Sequence, residues 1–555
     1  MRTVQITGPV SLLAGGTLLL AFWQPNHFSP WVSFYNEFLA FVALLLLGLH
    51  ALLSGNRYKL SPLGVALLAL ALVPWLQYWA GLIVYSGDAL IASLYLSAAG
   101  AAVLLGRSYV STRDPITMLA ALLLIAALVS VVLALVQWLG IDSSIWLSDL
   151  NPARRPGANL AQSNHLATLL CMGLAGLLYL WERRLLSWQT SSFMGVLLLF
   201  GLALTQSRTS WIVSLGFTGW CLWHYRAGNL RLAPVYPLLW LGLYIGFIVL
   251  LSYVAEALHF VVEDVMTRAQ QTERLDEWQQ MWYAVTQGDL WGYGWTQVAT
   301  AQLAVALEYP TGLPLNHSHN IVLDLLIWNG PLLGSVIVLL LIGWLLRLYL
   351  RAASVESIFC LMAVGAVLVH GLLEYPLEFA YFLLPISVLL GLAESGQNAP
   401  VLGTAPRWTA APALMAGILA TFLVWAEYRF IEEDFRQMRF EVAGFRPGAA
   451  IEESPWQLPL FNQFRAYIRF ARNGAHEGMS DVEISRMRKV STHFPTPPSL
   501  MRYGLALALN DRPKEARELF LRLRGVHGDG HYQEAKASLI KMREVYPQLN
   551  ALELP

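Results

Sequence analysis

The sequence predicts an all-α polytopic membrane protein of about thirteen transmembrane helices, on three observations. Of its 555 residues, 56% are hydrophobic and only 13% charged, and the mean hydropathy is +0.51. A soluble chain of this length has no means of hiding so much apolar surface. The apolar residues fall into blocks of bilayer length, about 20 residues each. Basic residues gather in alternate connections between the blocks, as the positive-inside rule requires of a multi-pass protein.

The blocks lie near residues 5–22, 36–53, 61–79, 88–106, 115–139, 162–181, 191–206, 209–225, 233–255, 319–346, 354–372, 376–393 and 409–427. The first follows Met1-Arg2 like a signal peptide, but no small-residue cleavage pattern succeeds it, so a retained span is expected. An odd number of spans puts the chain ends on opposite faces. Arg2, Arg57 and Lys59, Arg107 and Arg113, Arg183 and Arg184, Arg226 and Arg231, Arg347 and Arg351, and Arg407 share one face, whereas loops 23–35 and 80–87 carry no basic residue. The basic face is expected to be cytoplasmic. The 256–318 loop and everything beyond Tyr428 then face outward.

Four regions follow: N-terminal transmembrane helices at 1–255, a large outer loop at 256–318, C-terminal transmembrane helices at 319–428, and a helical outer domain at 429–555. In the last, Met501–Arg524 and Tyr532–Tyr546 show helical apolar spacing. Ala506, Ala508, Ala516, Phe520 and Ala535 are reminiscent of tetratricopeptide-type hairpins, although one or two imperfect units do not make an array. Cys171, Cys221 and Cys360 each sit inside an apolar block, which argues against disulfides and thiolate metal sites. A formal net charge of zero gives no sign of a nucleic-acid partner.

Arginines on the outer side are where chemistry enters. Arg154, Arg155, Arg208, Arg268 and Arg274 lie where topology does not ask for them, and an arginine at membrane depth usually has a partner or a task. Arg208 occupies the turn Thr205-Gln206-Ser207-Arg208-Thr209. Arg268 and Arg274 are the two basic residues among the eight acids of the 256–318 loop. A guanidinium there either pairs locally, as Arg274 would with Glu277 at i,i+3, or is aimed at a phosphate. Glu273–Trp278 reads as the start of an amphipathic helix that Gly292-Tyr293-Gly294-Trp295 breaks.

The loop ends in Asn316-His317-Ser318-His319-Asn320. Histidines two apart cannot share one helix face, so Ser318 or Asn316 is expected to cap the incoming helix with His319 in its first turn. An unperturbed imidazole, with a pKa of ~6.5, is mostly neutral at pH 7 and suited to take a proton from a hydroxyl. The bland alternative is an interfacial histidine that satisfies backbone groups. The run from Arg155 to His165 crowds polar side chains at the mouth of a span, where helix capping and helix–helix bonding are the plain explanation. His370 and Glu374 have i,i+4 spacing fit for a metal, but no third ligand is in sight. His-Glu-x-x-His, Gly-x-Ser-x-Gly, Gly-x-x-x-x-Gly-Lys, Asp-x-Asp and Trp-Trp-Asp motifs are all missing. What remains is a set of arginines and histidine, with no metal and no cofactor expected.

Over nearly its whole length the chain resembles the bacterial O-antigen ligase and polymerase superfamily, specifically the PglL-type protein O-oligosaccharyltransferases. The resemblance rests on Pro25–Trp31 leading to Glu37, on Gln162-Ser163-Asn164-His165-Leu166-Ala167-Thr168, and on Ser207-Arg208-Thr209. It continues through Arg274 with Trp278 and Gly292–Trp295, His319-Asn320 followed by Gly330, and Glu374-Tyr375-Pro376. The Gly330-Pro331-Leu332-Leu333-Gly334 pair is one residue longer than the usual spacing. The outer C-terminal domain resembles the extra domain of this branch.

Membership implies a ligase fold of the membrane glycosyltransferase (GT-C-like) kind in the bacterial inner membrane, with cytoplasmic N-terminus and periplasmic site. It implies an undecaprenyl-diphosphate-linked oligosaccharide donor and a serine or threonine acceptor on an exported protein, often a pilin. It further implies that Arg208 and Arg274 bind the diphosphate and that His319 activates the acceptor. Gln162 and Tyr375 are carried over as support residues, and with Asn164, His165, Arg155 and His317 they make up the expected substrate-binding set. Two guanidiniums and an imidazole are thus expected to meet just beneath the outer headgroups. Competing readings are a lipid A-core ligase or glycan polymerase, a lipid-linked glycan transporter, and a tethered scaffold. The near absence of charge at mid-span and the number of spans speak against the last two.

Overall fold

The computed structural model describes residues 8–54, 57–108, 114–141, 146–149, 155–257, 273–445 and 460–554. Arg2, Arg113, Arg154 and Arg268 lie outside them. The described chain is mostly helical. Its helices are α1 (Gly8–Trp23), α2 (Phe34–Leu53), α3 (Pro62–Leu70), α4 (Val73–Trp79), α5 (Ser86–Ser108), α6 (Asp114–Trp138), α7 (Ser163–Glu182), α8 (Trp188–Leu204), α9 (Arg208–Arg226) and α10 (Val235–Ala257). Next come α11 (Glu273–Gln287), α12 (Val298–Val305), α13 (Ile321–Leu350), α14 (Val355–Gly371), α15 (Ala380–Gly396) and α16 (Ala411–Val442). The tail holds α17 (Asn462–Arg472), α18 (Asp481–His493), α19 (Pro497–Leu509) and α20 (Pro513–Met542).

Every apolar block of the sequence holds a helix. Eight spans among the described residues are long and apolar enough to cross a membrane, and α1, α8, α14 and α15 are shorter apolar helices. The chain is a multi-pass membrane protein. Contacts sort it into two units: Met1–Leu70, Tyr95–Gln271 and Ile342–Phe422 form one, and Ala71–Leu94, Thr272–Leu341 and Leu423–Pro555 the other.

The first unit is built on α7, which is apolar on every side and almost wholly buried. Small residues let α6 and α7 meet backbone to backbone. A Cβ on Gly173 would stand 2.4 Å from the Ala127 Cβ, and one on Gly176 would stand 2.6 Å from the Ala120 carbonyl oxygen. Among its described residues the same unit holds a short antiparallel ladder, in which Tyr58–Leu60 pairs with Gly403–Ala405.

In the second unit, α13 is broken where the sequence reads a single span. Gly330 has φ 72° and ψ 169°, a conformation open chiefly to glycine. Pro331 has no N–H to give the Ile327 carbonyl. The Gly292–Trp295 motif fills that gap: Tyr293 N–H donates to Ile327 O (2.8 Å) and Gly294 N–H to Trp328 O (3.2 Å). Gln77 of α4 completes the joint, donating to Trp328 O (2.8 Å) and accepting from Trp295 N–H (2.9 Å). These glycines therefore stitch a helix break rather than end the amphipathic helix, since α11 has already stopped at Gln287.

The tail forms successive helical hairpins over a core that includes Ala506, Ala508, Ala516, Phe520 and Ala535. A Cβ on Gly504 would lie 2.6 Å from the Phe520 ring. Ser480 and Glu483 form a reciprocal capping box on α18. Helix α16 runs unbroken through residue 428, where the composition turns polar.

Candidate functional site

Six of the nine candidate residues lie in the first unit and three in the second. In the first, the 155–165 stretch folds into a tight turn ahead of α7. Ala158 and Ala161 take positive φ, and a Cβ on Gly157 would meet Gln162 N at 2.7 Å. Gln137 of α6 holds this turn through Ala158, accepting from its N–H at 2.8 Å and donating to its carbonyl at 3.1 Å. Asn159 donates to the carbonyls of Trp23 (2.7 Å) and Trp146 (3.0 Å), and His27 contacts Asn159 O at 2.8 Å. Gln162 stands at the N-cap of α7 with extended backbone, its side chain making no capping bond.

From this turn Arg155 reaches outward. Its Nε donates to Thr205 O (3.1 Å) and its Nη2 to Asn164 Oδ1 (3.1 Å), while Asn164 Nδ2 donates to Glu374 Oε1 (2.7 Å). Thr205 begins the turn that ends on Arg208: Gln206 takes φ 49°, Ser207 is the N-cap, and Arg208 opens α9. A guanidinium on a helix N-terminus adds charge to an end already positive, an arrangement that favours an anion nearby. Arg155, Asn164, Glu374 and the Arg208 turn are thus joined.

His165 points the other way. It is 1% exposed, with its Nδ1 at 3.2 Å from the Tyr381 hydroxyl. The rings of Phe379 (4.4 Å), Phe382 (5.6 Å) and Tyr375 (6.1 Å) box it in. It packs the base of the turn. His370 Nδ1 bonds the Thr168 hydroxyl, while Glu374 is engaged with Asn164. The i,i+4 pair is thus turned toward two different partners.

In the second unit Arg274 stands in the first turn of α11, its Nη1 at 3.7 Å from Glu277 Oε2. The local pair, one of the two alternatives open from the sequence, is present. The Asn316–Asn320 string caps differently from expectation. Asn320, not Ser318 or Asn316, caps α13, its Oδ1 accepting from the N–H groups of Val322 (3.0 Å) and Leu323 (3.3 Å). Ser318 turns inward instead, its N–H donating to Asp324 (2.9 Å) and its hydroxyl to Asn320 O (2.9 Å).

With the cap moved to Asn320, His319 falls just outside the helix rather than in its first turn, in a left-handed conformation (φ 56°). Because φ > 0 is costly for a residue with a Cβ, the surrounding bonds fix that geometry. Burial first, and the neighbouring His319 second, push the His317 imidazole down to about 4. His317 is therefore neutral across the physiological range.

Comparison with known proteins then decides the family. Over 548 residues, 96% of this chain and 95% of the relative, the sequence is 30% identical to the general O-oligosaccharyltransferase of Acinetobacter baylyi. The chain belongs to the O-oligosaccharyltransferase family. It is an enzyme, a glycosyltransferase. The ComP-specific O-oligosaccharyltransferase of the same organism is 28% identical over 376 residues, 67% of this chain and 68% of that one.

Three family models match in turn. A protein glycosylation ligase model covers residues 156–181, an O-antigen ligase model 193–337, and the C-terminal model of a virulence factor membrane-bound polymerase 358–539. Gln162, Asn164 and His165 fall in the first. Arg208, Arg274, His317 and His319 fall in the second, and Tyr375 in the third.

Sequence reasoning passed over Gln77 and Gln137, and it named Glu37 only as the end of the Pro25–Trp31 element. Gln77 and Gln137 are buried amides, and Glu37 is a buried carboxylate that accepts from Ala380 N–H at the start of α15. Their signal was visible: each is a polar residue inside or bordering an apolar block, where polar groups must find partners.

Proposed function

We propose that the chain transfers a glycan en bloc from an undecaprenyl-diphosphate-linked donor to serine or threonine hydroxyls of exported proteins such as pilins. The observation that carries this is the near full-length match to a protein whose name is general O-oligosaccharyltransferase. The protein glycosylation ligase match over the Gln162 turn favours a protein acceptor over lipid A-core. In this reading the protein sits in the bacterial inner membrane with its N-terminus cytoplasmic, thirteen spans, and site and tail in the periplasm, as the basic connections support.

Arg208 and Arg274 hold the diphosphate, and their fixed charge stabilises the negative charge that grows on the departing phosphate oxygen. His319 takes the hydroxyl proton as the acceptor oxygen attacks the anomeric carbon. The bond from that carbon to the phosphate oxygen breaks, and undecaprenyl diphosphate leaves. A single displacement inverts the anomeric centre. Arg155, Asn164, Gln162 and Tyr375 support the donor side. His165 supports the same side through packing, and His317 lines the acceptor side as a neutral imidazole.

The test is a deletion strain complemented with this chain and examined for both glycosylated pilin and O-antigen-bearing lipopolysaccharide. Restored protein glycosylation supports the reading. Restored lipopolysaccharide with unmodified protein replaces it with a lipid A-core ligase.

A further inference from the structure

We infer that Gln280 and Gln302 are positioning residues that hold the His317–His319 segment in a fixed register with the helix bearing Arg274. The inference rests on the functional reading above for the importance of those residues, and on the geometry for the rest. Both amides are buried, at 0% and 1% exposure, in a segment that the sequence reads as an acidic outer loop. Gln280 lies on α11, the helix that opens with Glu273-Arg274, and Gln302 lies on α12. Residues 309–315 run beside them with no ladder or helix to bind their backbone, then lead directly into Asn316-His317-Ser318-His319.

The two amides supply what secondary structure does not. Gln302 Nε2 donates to Leu313 O (2.7 Å) and to Gln280 Oε1 (2.9 Å), and its Oε1 accepts from Leu315 N–H (2.8 Å). Gln280 Nε2 donates to Tyr309 O (2.6 Å), and its Oε1 also accepts from the Thr311 hydroxyl (3.3 Å). One amide pair thus engages four residues of this irregular segment, Tyr309, Thr311, Leu313 and Leu315, at alternate positions. It ties all of them to α11.

On the next layer, Thr311 and Gly312 N–H donate to Gly525 O of the tail (3.1 and 2.9 Å). Arg522 donates to the Leu303 and Ala304 carbonyls (2.6 and 2.7 Å), which belong to the end of α12. A Cβ on Gly525 would come 2.2 Å from Ala306 O, so the tail approaches this clamp as closely as backbone allows. Buried amide networks in which the polar atoms are satisfied rigidify their surroundings and lose that property when one member is removed. A glutamine amide both donates and accepts, so Gln302 serves a backbone carbonyl and a backbone N–H at once, while Gln280 serves a backbone carbonyl, the Thr311 hydroxyl and Gln302.

The test compares Gln302→Leu, Gln280→Leu and Thr311→Val with wild type as full-length protein in lipid nanodiscs. It reads steady-state transfer from a lipid-diphosphate-linked glycan to a protein acceptor, together with amide hydrogen exchange. The expected result for the glutamine variants is a kcat loss on the order of 10²-fold, the scale of a misplacement of about 1 Å, with donor and acceptor KM little changed. Faster exchange should be confined to residues 309–320. Thr311→Val, which removes one hydroxyl bond, should show a smaller loss of the same kind, and it carries the test if a glutamine variant fails to insert.

Wild-type kcat in these variants would overturn the inference. So would exchange that rises equally across the α19–α20 core, since that marks general destabilisation. The exchange pattern does not depend on the chemistry, so it separates failure of the clamp from failure of His319 as the base. The latter shows as full activity in His319→Ala.

Discussion

Asn164 and Glu374, 210 residues apart in the chain, are joined by a 2.7 Å hydrogen bond, and through Arg155 that bond reaches the turn presenting Arg208. Asn164 is thus a coupler between α7 and the Glu374-Tyr375-Pro376 element. Asn164→Ala is expected to leave a 5% exposed carboxylate short of a donor and to cost about 1–3 kcal/mol. Asn164→Asp, which sets two acids together, should cost more. Thermal unfolding of the purified variants in one detergent checks the order.

The Gly330 break yields a second expectation. Gly330 has φ +72°, and a Cβ there would lie 2.0 Å from Leu290 O, backbone that cannot swing aside. Gly330→Ala should lower the level of folded protein in the membrane several-fold. Gly343→Ala, on the same helix with nothing within 4 Å of its added Cβ, should not. Fluorescence size-exclusion of tagged variants reads both.

For the arginines, Lys is the informative replacement because it keeps the charge and loses the fork. Arg208→Lys and Arg274→Lys are expected to keep partial activity with a raised KM for the lipid-linked donor. The alanine variants should lose transfer. Because guanidiniums supply the positive charge in this account, adding EDTA to purified enzyme should leave the rate unchanged, and a chelator-sensitive rate would contradict it.

His317 has a pH signature. Its folded-state pKa is pushed from the ordinary 6.5 to about 4 by burial and by His319. Between those values the unfolded chain holds more proton than the folded one, so stability rises with pH across that window and is lost as pH falls through it. The thermal midpoint should drop between pH 6.5 and pH 4, and His317→Asn should flatten part of that drop. Transfer by His317→Asn between pH 6 and 8 should keep the wild-type pH profile, because the ring it removes is neutral there.

The spans were legible because apolar blocks of bilayer length have few alternatives, and α7 shows why the inference is safe: a helix apolar on all sides must be buried or lie in lipid. The position of Arg208 was legible as a turn between two apolar blocks, and the structure has it opening α9 directly after α8. The N-cap of α13 was not, because Asn316, Ser318 and Asn320 are all competent caps and only the pull of Asp324 on Ser318 decides among them. The break at Gly330 was hidden for a related reason. A glycine before a proline within an apolar run reads as packing until the partner backbone, Tyr293 and Gly294, is known. The Gln280–Gln302 pair carries no local signal at all, since its meaning lies in the irregular 309–315 segment, reached only through tertiary folding.

The most direct measurement is single-turnover transfer by reconstituted enzyme from an undecaprenyl-diphosphate-linked glycan to a purified pilin, wild type against His319→Ala. The account predicts transfer to serine or threonine by wild type and a rate slowed on the order of 10²–10⁴-fold in the variant, the usual contribution of a general base. A correctly inserted His319→Ala enzyme that transfers within a few-fold of wild type would contradict it.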